Sequence, residues 1–434
     1  MQSQTIIQDN KEFTFFSWSV QSAVTPIPIV RAEGVYFWDA DGKRYLDFSS
    51  QLMNVNIGHQ HPAVVRAIQA QAATLCFAHP GMATESRAEA GRKIAEVAPG
   101  RLNKTFFCLG GAEANENAIK IARFYTGRHK ILARYRSYHG ATHGAIALTG
   151  DYRRLPVEPA MPGAVHFLDP YCYRCPFGWT PQTCHRECIQ HVEEIIQYEG
   201  PDQIAAIIME GVTGSNGLIV PPDDYWPRVR EICDKYGILL ISDEVMSGWG
   251  RTGAWFAVDN WQVEPDIITT AKGLTSGYVP LGAVIVSEEI ARYFDDKMLW
   301  CGLTYSGHPL ACAAAAATID VYRDDGLLEN ARALGGYLAE RLEAIKADHL
   351  SVGDVRAIGL FSALELVTNR ATRAPMLDLV RFGAFLRAQG LFTFIFRNIV
   401  FVVPPLCITR EQLDEGLAII EQALLQVSDP AAQA

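Results

Sequence analysis

The chain has 434 residues, of which 49% are hydrophobic and 20% charged, a composition typical of a globular protein with two or three domains or with one large and one smaller domain. Its net charge of −10 and pI of about 5.6 disfavour nucleic acid and anionic membranes as main partners, because both bind basic surfaces. Because residues 1–11 contain no apolar signal-peptide core and the longest apolar stretch, 310–319, is too short to span a bilayer, we expect a cytoplasmic protein with reduced cysteines.

The first predicted element is a β-hairpin in residues 35–48, where alternating apolar residues flank a turn at Asp41–Gly42. Two segments with helical spacing follow, and short apolar runs of strand length then alternate with further helical segments. The predicted helices are 62–74, 86–98, 112–126 and 225–236, and the predicted strands are 105–109, 131–135, 204–209, 238–242, 267–270 and 281–286. This alternation favours a largely parallel sheet covered by helices on both faces.

The pattern changes after about residue 325 and predicts a second, smaller α+β domain. Its predicted elements are a long amphipathic helix at 327–348, strands at 361–367, 391–396 and 400–403, and a closing helix at 410–426. We therefore divide the chain into an N-terminal segment (1–60) that contributes to the small domain and the active-site entrance, a large domain (61–325) and a small C-terminal domain (326–434).

Two chemically reactive side chains follow neighbouring predicted strands. Asp243 ends a buried strand, and ligands of open α/β sheets bind at the carboxyl ends of strands; the alternative is an ordinary helix cap. Lys272 follows the next strand, where burial can lower its pKa and free the amine as a nucleophile; the alternative is a surface lysine. The 29 residues from Asp243 to Lys272 match one crossover and strand, so we expect both at the same edge of the sheet.

Two further segments are suited to binding a flat phosphorylated ligand. Gly110 and Gly111 end a strand and open a helix, and such a turn presents backbone N–H groups to a phosphate. Tyr138 follows another strand, where an aromatic ring can either stack on a planar ligand or pack within its loop. Neither segment is specific in isolation.

Together and in this order, these segments resemble the class III (omega or ornithine-type) aminotransferases. The resemblance extends from about Gly34 to Leu417. It rests on the segments GVYFWDADGKRYLDF, GHQHP, LGGAEANENAIKIAR, RSYHGATHGA, IIMEG, LLISDEV, GWGRTG, TTAKGL, TYSGHP and VVPPL. It implies the α/β type I fold of pyridoxal-phosphate-dependent transferases, with a large domain around a mostly parallel seven-stranded sheet, a smaller α+β domain, and pyridoxal 5'-phosphate (PLP) as cofactor.

The resemblance also implies a role for individual residues. Lys272 would form an imine with the cofactor and then move a proton, while Asp243 would pair with the pyridinium nitrogen and keep the ring an electron sink. Val245 and Tyr138 would cover the two faces of the ring. The remaining implied cofactor contacts are Gly110, Gly111, Ala112, His139, Glu210 and Thr304, of which Thr304 would reach the neighbouring subunit's site in a homodimer or a dimer of dimers.

The implied reaction is ping-pong transfer of an amino group from an amine or omega-amino acid to a keto acid such as pyruvate or 2-oxoglutarate. An aminomutase or a decarboxylating enzyme of the same fold stays open as an alternative, whereas an interaction protein without activity is disfavoured by the intact cofactor residues. The apolar pocket walls would be Trp18, Leu52, Met53, Phe77, Tyr138 and Phe394.

Recognition of the acceptor carboxylate departs from the family pattern. Many omega-aminotransferases carry an arginine shortly before the Pro-Pro pair, here Pro404–Pro405, but this position is occupied by Phe394. Arg397 lies three residues later, and we hypothesise that it substitutes for the missing arginine. The alternative is a surface arginine near the dimer edge.

Three other patterns point to different chemistry. The glycines of residues 248–253 match G-x-G-x-x-G but do not directly follow a strand, which disfavours a dinucleotide site. The acidic strand ending at Asp243 has no accompanying phosphate-binding loop of nucleotide hydrolases. Cys172, Cys175, Cys184 and Cys188 have a spacing compatible with zinc, but the favoured interpretation is a loop packed by partly buried thiols, so no metal ligand is assigned from sequence.

Overall fold

A computed structural model describes residues 2–428 of the chain. Its helices are α1 (Ser3–Phe13), α2 (Ser50–Met53), α3 (Pro62–Thr74), α4 (Glu85–Val97), α5 (Gly111–Thr126), α6 (His143–Leu148), α7 (Glu187–Glu199), α8 (Tyr225–Tyr236), α9 (Glu288–Tyr293), α10 (Pro309–Asp324), α11 (Leu327–Asp348), α12 (Val380–Ala388) and α13 (Arg410–Ser428). Its strands are β1 (Ile29–Glu33), β2 (Tyr36–Asp39), β3 (Arg44–Asp47), β4 (Leu102–Cys108), β5 (Lys130–Arg134), β6 (Ala164–Phe167), β7 (Ile204–Glu210), β8 (Leu239–Asp243), β9 (Ile267–Thr270), β10 (Gly282–Ser287), β11 (Val352–Ile358), β12 (Phe361–Asn369), β13 (Ala374–Pro375), β14 (Leu391–Phe392), β15 (Ile395–Phe396) and β16 (Ile399–Val402).

The central element is a seven-stranded sheet with the order β4-β10-β9-β8-β7-β5-β6. The pairs β8–β9, β7–β8, β5–β7 and β5–β6 are parallel, whereas β10 is antiparallel to both of its neighbours. The predicted mostly parallel seven-stranded sheet of the type I transferase fold is therefore confirmed.

Both faces of this sheet are buried, which explains the continuous apolar runs of its strands. Along β7, Ile207 belongs to one apolar core and its neighbour Ile208 to another, because successive side chains of a strand point to opposite faces. The core around Ile208 includes Ala118 of α5, and the core around Ile207 includes Trp226 of α8.

Two smaller sheets lie outside the central one, with the orders β1-β2-β3-β14 and β11-β12-β16-β15. The predicted hairpin of residues 35–48 is confirmed as the antiparallel pair β2–β3, and β3 pairs in parallel with β14. The N-terminal segment thus shares a sheet with the C-terminal part of the chain. The division into domains at residues 60 and 325 stays a prediction.

The prediction of one strand over residues 391–396 is wrong. The segment contains β14 and β15, which belong to different sheets. At the crossing point, the hydroxyl of Thr393 donates to the carbonyl of Phe48 (3.3 Å) and to that of Phe401 (2.5 Å), and so joins the two sheets. The apolar pattern continues through both short strands because both are at least partly buried. The pattern therefore does not show where the chain passes from one sheet to the other.

Helix ends were predicted best where the sequence contains a cap. The helix 62–74 begins with Pro62, which needs no N–H partner at the first helical position. The helix 225–236 ends at Gly237, whose φ of 59° is the left-handed conformation of a C-cap. By contrast, α10 was missed as a helix because its Ala-rich residues are buried around most of its circumference, which removes the amphipathic period.

Among residues 2–428, no helix combines the length and the apolar composition that crossing a membrane requires.

Two adjacent glycines of α11 provide a test of its packing. A Cβ atom at Gly335 would lie 2.5 Å from the Cα atom of Gly359, so the Gly335→Ala substitution should destabilise the protein by about 1–3 kcal/mol. The matched control is Gly336→Ala: nothing lies within 4 Å of its Cβ position, and alanine should stabilise the helix by up to about 1 kcal/mol. Melting temperatures measured at one scan rate should therefore shift in opposite directions, and equal shifts would contradict this packing.

Candidate active site

A cavity of about 780 Å³ opens at the carboxyl ends of the central strands, and most of the predicted site residues line it. They are Trp18, Leu52, Met53, Gly110, Gly111, Ala112, Tyr138, His139, Glu210, Asp243, Val245, Lys272 and Phe394. The structure therefore brings the predicted lysine and carboxylate to the wall of one cavity.

Asp243 is the last residue of β8, and its carboxylate is buried and held by three donors. Oδ2 accepts from the side-chain amide of Asn115 (2.8 Å) and from Nδ1 of His139 (2.8 Å), and Oδ1 accepts from the backbone N–H of Val245 (3.1 Å). Hydrogen bonds to a carboxylate favour its charged form. Asp243 is thus a fixed negative charge at the cavity wall.

Asn115 connects the elements around this carboxylate. Its amide nitrogen also donates to the carbonyl of His139 (2.6 Å), while its oxygen accepts from the hydroxyl of Thr269 on β9 (2.7 Å). Sequence reasoning quoted Asn115 within a motif but assigned it no role. Its place four residues after Gly111, on the same face of the helix, was the signal that could have identified it.

Lys272 follows β9 with a φ of 41°, a left-handed conformation that costs a non-glycine residue about 1–3 kcal/mol and persists only when its surroundings impose it. The next residue is tightly enclosed: a Cβ atom at Gly273 would lie 2.5 Å from the amide nitrogen of Asn56. Burial lowers the pKa of Lys272 to about 8, although the negative charges of Asp243 and Glu210 act to raise it. The backbone at Lys272 is therefore fixed, and its amine is easily deprotonated.

The first turn of α5 forms another part of the wall and is suited to binding a phosphate. Gly110 precedes the helix in an extended conformation, and Gly111 and Ala112 are its first residues. A Cβ atom at Gly111 would lie 2.8 Å from Val245, so only glycine allows this close approach. The free N–H groups and the positive dipole end of a helix favour an anion at this position.

Glu210 ends β7, and it orders the loop that carries Tyr138. One carboxylate oxygen accepts from the backbone N–H of Tyr138 (3.0 Å), and the other accepts from the N–H of Gly214 (2.7 Å). Burial raises the pKa of Glu210, while the two backbone donors satisfy its charged form.

Arg153 lies in the cavity wall and was missed by sequence reasoning. Its guanidinium is 4.0 Å from the ring centre of Tyr138 and is paired with Asp151 through Nε (2.9 Å), and Nη2 donates to the hydroxyl of Ser215 (2.8 Å). The ring of Trp18 meets that of Tyr138 edge to face, with centres 6.1 Å apart. No periodic pattern marks Arg153, because it lies in a short 3-10 turn, 152–157.

Three predicted site residues lie outside the cavity lining. Arg397 is an exposed residue whose guanidinium lies 5.1 Å from the ring centre of Tyr152 and 5.6 Å from that of Phe396. Phe77 is 43% exposed and meets the ring of Tyr305 at 6.0 Å. Its neighbour in space, Thr304, is exposed as well. The wall contains Phe394 and Phe396 on the side where Arg397 was expected.

Comparisons with known proteins agree with this geometry. The family model of aminotransferase class-III matches residues 17–424. The chain belongs to this family. A leucine/methionine racemase from Thermococcus litoralis is 38% identical, covering 93% of this chain and 92% of its own, and a putrescine–pyruvate aminotransferase from Pseudomonas aeruginosa is 36% identical, covering 92% and 91%.

Solved structures of other class III aminotransferases superpose closely. A taurine:2-oxoglutarate aminotransferase from Bifidobacterium kashiwanohense, in complex with PLP and glutamate, has a TM-score of 0.96 at 43% identity and covers 99% of both chains. An (S)-enantioselective omega-transaminase from Thermomicrobium roseum has a TM-score of 0.95 at 39% identity, covering 99% of this chain and 100% of its own. This class III aminotransferase is accordingly a PLP-dependent enzyme.

The cavity wall of the aminotransferase has the donor set that PLP requires. The helix N-terminus at Gly111 can hold the phosphate, the carboxylate of Asp243 can hold a protonated ring nitrogen, and the amine of Lys272 can attach to the aldehyde carbon. The buried Nε2 of His139 has no hydrogen-bond partner within residues 2–428. The residues present therefore fit the cofactor.

Removing the amine tests the role of Lys272. The Lys272→Ala variant should lose more than about 10³-fold in turnover, since it would lack both the covalent nucleophile and the group that moves the proton. Borohydride reduction of the wild type followed by peptide mass analysis should find the cofactor attached at Lys272. The exposed Lys297→Ala is the control and should keep wild-type activity; turnover retained by Lys272→Ala would refute the assignment.

The lowered pKa of Lys272 predicts how cofactor uptake depends on pH. The rate at which the cofactor-free protein attaches PLP should rise about tenfold per pH unit below about pH 7 and level off near pH 8, as the neutral amine becomes dominant. Because the unfolded chain binds the lysine proton up to pH 10.5, this group also makes stability rise with pH between about 8 and 10.5. The attachment rate is measured by absorbance. If it still rises above pH 9, the pKa of Lys272 is that of an ordinary lysine and this prediction is wrong.

Proposed function

We propose that this class III aminotransferase takes its amino group from an omega-amino acid or a related amine that carries a carboxylate or sulfonate away from its nitrogen, and passes it to a keto acid in a ping-pong sequence. The observation that carries the proposal is the guanidinium of Arg153 in an otherwise largely apolar wall of the cavity that also contains Lys272.

The charges at the cavity support this substrate class. The hydrogen bonds that Arg153 makes within residues 2–428 use Nε and Nη2, so its remaining donors can bind a planar or tetrahedral anion. The side chain is 11% exposed, and such partial burial strengthens its interaction with an anion. The aromatic rings of Trp18 and Phe396 beside it fit the methylene chain that separates the anion from the amine.

The names of relatives support the same class. A relative from Bilophila wadsworthia is a taurine–pyruvate aminotransferase, 34% identical over 96% of both chains, and the B. kashiwanohense enzyme uses taurine with 2-oxoglutarate. Taurine is a primary amine with a sulfonate at its other end. Both keto acids occur among these relatives, so we leave the acceptor as pyruvate or 2-oxoglutarate.

In the proposed mechanism, bound PLP supplies an electron sink that makes the substrate C–H bond beside nitrogen acidic. Lys272 would hold the cofactor through Nζ and, when free of it, would hold and move a proton at the same atom. With a pKa of about 8 it is neutral in about a tenth of molecules at pH 7, compared with about 0.03% for an ordinary lysine. Asp243 would hold a proton on the ring nitrogen of the cofactor, and Tyr138 and Val245 would confine the ring between them.

We also propose that the enzyme is a cytoplasmic homodimer. The proposal is supported by the exposed apolar side chains that accompany Thr304 on the surface, namely Phe77, Met298, Trp300 and Tyr305. In such a dimer Thr304 would complete the phosphate site of the neighbouring subunit, and Phe77 would approach the neighbouring cavity.

Two arginine variants test which residue binds the substrate anion. Arg153→Leu should lower kcat/KM for taurine and β-alanine by about 10–100-fold, the equivalent of one lost charge-assisted hydrogen-bonded pair of about 1.5–3 kcal/mol. Phenethylamine, which has no anionic group, should lose less than about threefold, and Arg153→Lys should recover part of the loss. The measurement is the amine half-reaction, read from the cofactor spectrum.

The matched control is Arg397→Leu, which should change kcat/KM for all donors by less than about twofold because Arg397 is exposed and does not line the cavity. A loss confined to Arg397→Leu would transfer the role to that residue. Equal losses for charged and neutral donors in Arg153→Leu would show that Arg153 only supports Tyr138. Nitrogen transfer in equal amounts to the added keto acid separates this reaction from racemisation, the activity named for the T. litoralis relative, and from mutase or decarboxylase chemistry.

A further inference from the structure

Four cysteines that take no part in the aminotransferase site surround a second, much smaller cavity. Cys172, Cys175, Cys184 and Cys188 all line this space, whose volume is about 20 Å³. That is about the volume that one water molecule or one ion occupies. All four are free thiols rather than disulfides.

The four thiols are close enough to influence one another. Burial and, to a smaller extent, the charges of the other three cysteines raise the pKa of Cys188 to about 12. Burial also raises the pKa of Cys172, with additional contributions from Cys184 and Cys175. The four thiols therefore lie near one another around one small cavity.

We propose that Cys172, Cys175, Cys184 and Cys188 bind one zinc ion in a structural site. The spacing C-x2-C-x8-C-x3-C contains the short pair typical of such sites, and four sulfur ligands complete the tetrahedron of a closed structural zinc site. Because no ligand position is left open, the site is distinct from the catalytic one.

The local backbone fits this assignment. Residues 172–174 form a 3-10 turn that brings Cys172 and Cys175 together, and the N–H of Gly178 donates to the carbonyl of Cys175 (3.1 Å) to reverse the chain. Cys188 lies in the first turn of α7, where the helix dipole favours a thiolate.

The side chains are not yet in ligand positions. With their present rotamers, no three Cys, His, Asp or Glu side chains of residues 2–428 form a group that could hold a metal ion. The sulfur of Cys172 lies 3.8 Å from the carbonyl of Pro170, and that of Cys184 lies 4.0 Å from the carbonyl of Pro181, as protonated thiols do. Deprotonation on metal binding removes these contacts, and one rotamer change moves a sulfur atom by about 3 Å, enough to turn it into the cavity.

A charged side chain already lies beside one of the four cysteines. Nη1 of Arg186 lies 3.0 Å from the sulfur of Cys184, and its Nε donates to Asp224 (2.6 Å). Four thiolates around Zn²⁺ carry a net charge of −2, which the guanidinium partly offsets, and donors to ligand atoms are typical of metal sites. The arginine thus favours the charged form of the cluster.

The ion would hold an irregular segment against the small sheet β11-β12-β16-β15. Tyr171 and Arg174 both bind the buried carboxylate of Glu365 on β12, the latter at 2.6 Å. Glu365 also pairs with Arg356 (2.8 Å), whose Nε donates to the carbonyl of Gly217 (2.7 Å). A zinc ion beside Tyr171 would fix this network, so its loss should reduce stability more than it changes the chemistry.

The test is the metal content of the full-length holoenzyme after incubation with zinc chloride and removal of excess metal. We expect about one zinc per chain by plasma mass spectrometry, with sulfur neighbours at about 2.3 Å in X-ray absorption. The double substitution C172S/C188S should reduce this to near zero, while the control C76S/C301S, at cysteines outside the cluster, should keep it.

A second measurement does not depend on the folding of a variant. Titration of the wild type with a mercurial reagent should release the zinc to a coloured indicator in proportion to the thiols that react, and the melting temperature should fall. Four outcomes would each overturn the proposal. They are less than one zinc per chain in the wild type, iron in place of zinc, disulfide-linked cysteines in peptide mass analysis, and equal metal loss in the control variant. These outcomes are independent of which amine the enzyme uses.

Discussion

The parallel pairing of β8 with β9 is the constraint on which the candidate active site depends. It sets Asp243 opposite Thr269, so that the chain leaving β9 delivers Lys272 to the same edge of the sheet. Asn115 then connects both strands to α5. Its side-chain nitrogen donates to the carboxylate of Asp243 (2.8 Å), and its side-chain oxygen accepts from the hydroxyl of Thr269 (2.7 Å). The side-chain amide of Asn115 thereby fixes the relative positions of Asp243, of β9, which precedes Lys272, and of α5, whose N-terminus faces the cavity.

The electrostatics of the cavity follow from this arrangement. The carboxylate of Asp243 accepts three hydrogen bonds, whereas burial lowers the pKa of Lys272 to about 8. One wall therefore contains a firmly held carboxylate and a readily neutralised amine, the combination that PLP chemistry uses. Arg153 adds a cation beside the ring of Tyr138, and its Nη1, which the hydrogen bonds to Asp151 and Ser215 do not use, could bind a substrate anion.

The C-terminal third and the cysteine segment act on the site from outside. The chain crosses between two sheets at Thr393, and this crossing presents Phe394 and Phe396 to the cavity, whereas the exposed Arg397 is not part of the lining. The buried pair of Glu365 and Arg356 connects the cysteine segment to Gly217, close in sequence to the Ser215 that holds Arg153. Packing of the cysteine segment is therefore linked to the substrate wall through a short series of hydrogen bonds.

The amino-acid sequence by itself determined the strand-and-helix alternation, the capped helices and the strand-end positions of Asp243 and Lys272. These features are local, because periodicity, caps and turns depend on residues within a few positions of one another. The part that Arg153 takes in the cavity wall, the bridging role of Asn115 and the place of Arg397 outside the cavity lining depended on the tertiary structure. Each is decided by contacts with residues from about 60 to 250 positions away, and neither spacing nor composition records which distant segments meet.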